Sequence, residues 1–165
     1  MRSKTRKQKG GPIQHHHLIV RCETEACPNE RQRAEMQQLV DKLIKAIDMK
    51  HLAPTNIYYM HKPSINEGMT AITPIETSHI SFHFWKRPTR DILHNPKSRC
   101  LLQMDVYTCG SLTHEHLKRI LAFLSEYRPS HVNLTLLNRL YGLSIERAER
   151  WDGRNGSYAT WINNF

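Results

Sequence analysis

Two short segments concentrate the side chains that can move protons or attack carbonyls. The first, Glu76-Thr77-Ser78-His79-Ile80-Ser81-Phe82-His83-Phe84-Trp85, alternates polar and apolar residues with the period of a strand. His79, Ser81 and His83 then share one face, and Ile80, Phe82 and Phe84 the other. Hydroxyl and imidazole side chains gathered on one strand face are candidates for chemistry. The plain alternative is a strand with a solvated polar face. A shared metal ion is excluded, because His79 and His83 stand ~13 Å apart on a strand rising ~3.3 Å per residue. The second segment, Asp105-Val106-Tyr107-Thr108-Cys109-Gly110, presents a thiol beside a glycine at a strand end. A lone cysteine is more often buried and inert, yet a strand end is where a reactive group can be offered to a ligand.

The elements that must position these residues follow from the hydrophobic pattern. A first strand spans His17 to Cys22. Pro28 and Asn29 open a helix with its stripe at Met36, Leu39, Val40, Leu43, Ile44 and Ile47. Strands follow at 56–61, 69–75, 78–85 and 101–108, with loops at 62–68 and 86–99. Pro74 argues that the 69–75 strand is an edge or is broken there. Ser111 or Thr113 caps a second helix with stripe Leu117, Ile120, Leu121 and Leu124. Arg128-Pro129 ends it, and 131–136 alternates as a strand. A short further helix is expected within 138–150, and the stretch from Trp151 has no clear period. The order β-α-β-β-β-β-α-β predicts an α+β two-layer sandwich, a mostly antiparallel sheet with helices on one face.

With 165 residues and 39% hydrophobic content, the chain suits one domain with a real core. No apolar run approaches the ~20 residues of a membrane helix, and no apolar stretch follows the basic N-terminus, so a cytoplasmic protein is expected. The net charge of +9 is largely local: Arg2, Lys4, Arg6, Lys7 and Lys9 precede Gly10, Gly11 and Pro12. Residues 1–14 are therefore read as a disordered basic tail, 15–150 as the folded domain and 151–165 as a C-terminal tail. Nucleic acid is not the expected partner, since no zinc-finger spacing, aromatic RNA-binding signature or phosphate loop occurs. Cys22, Cys27, Cys100 and Cys109 are not expected to form a disulfide framework in such a chain.

Taken together, Ser78-His79-Ile80-Ser81, His83, Trp85 and Asp105-Val106-Tyr107-Thr108-Cys109-Gly110 resemble the bacterial and archaeal S-adenosylmethionine decarboxylases. His17-Leu18-Ile19-Val20 and Gly68-Met69-Thr70 extend the resemblance, which covers roughly residues 15–137. It implies a proenzyme that cuts itself between Thr77 and Ser78. Ser78 attacks the preceding carbonyl in an N-to-O acyl shift, and elimination leaves a pyruvoyl group, the covalent cofactor, on residue 78. It further implies His83 as processing base, Thr70 as processing hydroxyl and Cys109 as proton donor in turnover, with no metal. The pyruvoyl group would hold the substrate as a Schiff base and draw off the electrons released with carbon dioxide. The implied product is the aminopropyl donor of spermidine synthesis, and the implied assembly is a homodimer with active sites between protomers and the two sheets face to face. Ser78, His83, Thr70 and Cys109 are expected to converge in one pocket.

The chain departs from the family pattern in an insertion between Trp85 and the Cys109 strand and in three further places. Thr77 stands where glutamate is usual, although cleavage uses only the backbone carbonyl. Trp85 is followed by Lys86-Arg87-Pro88 rather than by the proline and ribose-gripping glutamate, and no acid follows until Asp91. The loop Lys62-Pro63-Ser64-Ile65-Asn66 lacks the aromatic that stacks on adenine. Two other readings stay open: a pyruvoyl decarboxylase of arginine or ornithine, and a non-catalytic homologue serving as a regulatory subunit.

Overall fold

The computed structural model describes residues 14–61, 67–76 and 78–165. Thr77, most of the basic N-terminal segment and the loop Lys62-Pro63-Ser64-Ile65-Asn66 lie outside them. Seven strands and three helices run β1 (His16–Thr24), α1 (Arg33–Ala46), β2 (Asn56–Met60), β3 (Gly68–Ile75), β4 (Ser78–Trp85), β5 (Cys100–Thr108), α2 (His114–Leu124), β6 (Pro129–Asn138), β7 (Ser144–Asp152) and α3 (Tyr158–Asn164). The strands form one sheet of order β2-β3-β4-β5-β1-β6-β7, antiparallel at every pairing. The helices pack on one face, so the expected α+β sandwich is the observed one.

Alternation decides which face each side chain takes. Leu18, Val20, Ile80, Phe82, Phe84, Leu102, Met104 and Val106 are at most 2% exposed and form the inner face. Met36, Val40, Leu43 and Ile44 of α1 and Leu117, Ile120, Leu121 and Leu124 of α2 close the core above them. Each such side chain is worth about 1.5–3 kcal/mol of transfer free energy. Thr113 caps α2 by accepting from the His116 backbone N–H, and the His116 ring returns to the Thr113 N–H. Gly68 opens β3 where a Cβ would stand 1.7 Å from the carbonyl oxygen of Phe84, so no larger residue fits there.

Pro74 sits in an interior strand, past the end of β2, where its carbonyl accepts from the Leu52 N–H at 3.0 Å. Neighbouring β2 pairs only as far as Asn56↔Ile72, so the missing N–H of Pro74 costs no bond to it. A helix expected within 138–150 is instead β7: Glu146, Arg147, Ala148 and Glu149 favour helix locally, but pairing with β6 decides otherwise. The stretch after Trp151, expected as a tail, holds α3, capped by Ser157, whose Tyr158 and Trp161 pack against Trp151.

The cysteines also differ from expectation. Cys27 and Cys100 are disulfide-bonded with Cα atoms 5.5 Å apart, while Cys22 and Cys109 are free. The pairing Thr24↔Cys100 brings the chain after β1 alongside the start of β5, a proximity that composition alone does not reveal.

Among the described residues no α-helix lies on the outer face of the sheet. At one end it is covered by the 86–99 segment, fastened to Glu23 of β1. The Glu23 side chain is fully buried and accepts from His94 Nδ1 at 2.7 Å, Ser98 Oγ at 2.8 Å, Arg21 Nη1 at 2.8 Å and the backbone N–H groups of His94 and Asn95. Burial works to raise its pKa; the hydrogen bonds from Arg21, His94 and Ser98 overcome it and bring it down to about 2. Elsewhere this face exposes Ile19, Tyr58, Met60 and Ile72.

Candidate active site

Thr70 and His83 form the first half of the site. They are cross-strand partners on β3 and β4, side chains on the outer face, with Thr70 Oγ1 2.5 Å from His83 Nδ1. The imidazole lies edge-on to Trp85, ring centroids 3.8 Å apart. Burial holds the His83 pKa below its ordinary value, so the ring is neutral at pH 7 and can accept a proton. A cavity of about 340 Å³, lined by Tyr58, Tyr59, Met60, Thr70, His83 and Trp85, opens on this pair.

Ser78 and Cys109 form the second half. Ser78 is the first residue of β4, half-buried, with Oγ 3.4 Å from Nδ1 of His79. The β4–β5 ladder closes at His79↔Tyr107, so Ser78 is one residue past the last pair and Cys109 two residues past it on the adjacent strand. Both leave the same end of the sheet. The Gly110 N–H donates to Thr108 Oγ1 at 2.9 Å, which turns the chain just beyond the thiol. Thr77, the other side of the expected scission, lies outside the described residues.

Between the two halves runs a polar network that the sequence did not announce. Asp105 Oδ1 accepts from His79 Nε2 at 3.1 Å, Oδ2 accepts from the Ser81 hydroxyl, and His17 Nε2 is 3.6 Å away. Arg139 donates to His17 Nδ1 at 3.2 Å, which leaves the His17 proton on Nε2, towards Asp105. Burial lowers the His17 pKa despite the pull of Asp105. The same Arg139 guanidinium lies 4.4 Å from the Tyr107 ring centroid. These residues come from β1, β4, β5 and the end of β6, so only the strand order assembles them.

The four expected site residues do not converge on one pocket of a single chain. Ser78 and His83 are five residues apart on a continuous strand, which separates them by ~16 Å at ~3.3 Å per residue. They form two pairs instead, Thr70–His83 towards one end of β4 and Ser78–Cys109 at the other.

The departures after Trp85 have a structural counterpart. Glu67, directly before β3, accepts from Lys86 Nζ at 2.7 Å and from the Tyr59 hydroxyl at 3.2 Å, and lies 3.9 Å from Arg87 Nε. The Lys86 hydrogen bond chiefly lowers its pKa. Sequence reading passed over this carboxylate because only the β3–β4 register sets it across from Lys86.

Among the described residues no cluster of three potential metal ligands occurs, and no helix is long and apolar enough to cross a membrane. No curated protein matches the chain. The family described as S-adenosylmethionine decarboxylase matches residues 16–140, from the first residue of β1 to just past β6, and so includes both pairs and the network between them. With most of its length covered by that match, the chain belongs to the S-adenosylmethionine decarboxylase family.

Proposed function

We propose that this chain is a self-processing, pyruvoyl-dependent S-adenosylmethionine decarboxylase that works as a homodimer and supplies the aminopropyl donor for spermidine synthesis. The observation that carries this reading is the Thr70–His83 contact on the strand that begins with Ser78, within a chain of the decarboxylase family. In processing, Ser78 Oγ bonds to the Thr77 carbonyl carbon and the peptide C–N bond breaks, its nitrogen taking the hydroxyl proton. Removal of the Ser78 Cα proton then expels the residue 1–77 chain as a carboxylate, and hydrolysis of the resulting enamine releases ammonia. His83 is the proton acceptor in this reading, and Thr70 holds its Nδ1.

A distance of ~16 Å along one strand is too long for direct proton transfer, so the His83 that serves a given Ser78 belongs to the second copy. Away from the 86–99 segment the outer face is uncovered among the described residues, and it exposes Ile19, Tyr58, Met60 and Ile72, which supports that arrangement. Two sheets stacked ~10 Å apart, antiparallel about a two-fold axis, set the Thr70–His83 end of one over the Ser78–Cys109 end of the other.

The pyruvoyl group fits the position of Ser78, a half-buried strand start with an open end beside Cys109. It supplies the electron sink for decarboxylation. Cys109 returns a proton to the substrate carbon, and the dry inner face behind Ile80 and Val106 limits water at that end.

Intact mass under denaturing conditions tests this reading. Two fragments, the larger beginning at a blocked residue 78, are expected. A chain that stays whole on long incubation overturns it in favour of a non-catalytic homologue.

A further inference from the structure

A second cavity lies on the 86–99 segment, and neither Ser78 nor His83 lines it. The cavity measures about 440 Å³ and is walled by Lys86, Arg87, Arg90 and Arg99, with Pro88 and Leu93 as apolar surface; no carboxylate lines it. Among the described residues one carboxylate, Glu67, reaches these cations, at 2.7 Å from Lys86 and 3.9 Å from Arg87. Asp91, in the turn that carries Arg90, does not line the cavity.

Arg87, Arg90 and Arg99 are exposed, and of the three Arg90 is the one whose guanidinium is fixed by the segment. Arg90 Nη1 donates to the carbonyl oxygens of Pro96 and Ser98 at 3.2 and 3.3 Å, while its Nε and Nη2 make no hydrogen bond among the described residues. The Arg99 backbone N–H is fixed by Thr24 O at 2.8 Å, and its side chain makes no hydrogen bond or ion pair among the described residues. The segment itself is pinned from below by the four donor groups it sends to Glu23, from His94, Asn95 and Ser98. Holding like charges together on a pinned segment is unfavourable without a counter-charge. Open guanidinium forks match the oxygen geometry of a phosphoryl group, and an apolar wall strengthens the attraction.

We propose that this cavity binds a small phosphorylated organic molecule, its phosphoryl group between Arg87, Arg90 and Arg99. The volume exceeds what inorganic phosphate fills and falls in the range of small-molecule sites.

The test is calorimetric titration of the purified full chain, at ~0.05 M salt where screening is weak, with AMP, adenosine, inorganic phosphate and pyrophosphate. Saturable 1:1 binding of AMP, with adenosine and inorganic phosphate far weaker, is the expected result. Arg87→Ala/Arg99→Ala should weaken it roughly tenfold or more. Lys42→Ala/Lys45→Ala on α1, which removes the same charge elsewhere, should not. Circular dichroism melts show that both variants fold, and unchanged self-cleavage by mass separates this site from the reaction. No saturable AMP binding, equal weakening in the two double variants, or inorganic phosphate binding as well as AMP would overturn the proposal. So would tight binding of a polynucleotide that AMP fails to displace, which would assign the surface to nucleic acid.

Discussion

Thr70 and His83 face each other across the β3–β4 ladder with Oγ1 2.5 Å from Nδ1, a contact fixed by strand register and not by loop geometry. Thr70→Val keeps the shape and removes the hydroxyl. Self-cleavage is expected to slow about 10²-fold or more, with Thr70→Ser close to the parent. Time courses of intact mass read both.

Burial sets the pH dependence of the same pair. His83 is held below its ordinary 6.5 by desolvation of the charged form. A base must be neutral to act, so cleavage should accelerate as pH rises through a midpoint below 6.5 and be level by pH 7. A rate still climbing above pH 7 would remove His83 from this role.

The ~16 Å between Ser78 and His83 along β4 predicts complementation between copies. Ser78→Ala and His83→Ala chains should each remain uncut alone. Unfolded together and refolded, the mixture should yield cut His83→Ala chains, served by the His83 of Ser78→Ala partners. Absence of any cut chain in a mixture shown to dimerise would rule out sharing.

Cys109 is just past the end of β5 and outside the Thr70–His83 pair. Cys109→Ala should therefore still cleave to two fragments, while release of decarboxylated product falls about 10²–10⁴-fold. Loss of cleavage itself would place the thiol in processing instead.

Glu23 makes an acid-stability prediction. Its folded pKa of about 2 is below the ordinary 4.5, so the stabilisation is fully present above pH 4.5 and is lost as pH falls from there towards 2. The shift corresponds to about 3 kcal/mol. Denaturant melts of Glu23→Gln should show a loss of that order at pH 7 and a flatter profile between pH 5 and 2.

How far the sequence reaches depends on the range of the interaction that decides each feature. β4 was legible to the residue because its alternation is local and its inner-face side chains are all large and apolar. Both long helices were legible from their stripes, and α2 from its cap. β7 was not, since Glu146 to Glu149 carry a helical preference that pairing with β6 overrides. The Cys27–Cys100 bond and the buried Glu23 were hidden for a related reason. Each joins β1, or the residues just after it, to residues more than seventy positions away.

For the site, alternation alone determined that His79, Ser81 and His83 share a face and that Cys109 stands at a strand end, while the roles expected of Ser78, His83, Thr70 and Cys109 came from the resemblance of their motifs to the family. Residue type and the two-residue period of a strand are properties of the chain itself. The tertiary structure decided how they group. Register set Thr70 against His83 and brought Ser78 and Cys109 to the same end of the sheet. Strand order drew Asp105, His17 and Arg139 into one network. An extended strand cannot fold back on itself, so Ser78 and His83 stay apart in every copy, a distance that no motif spells out.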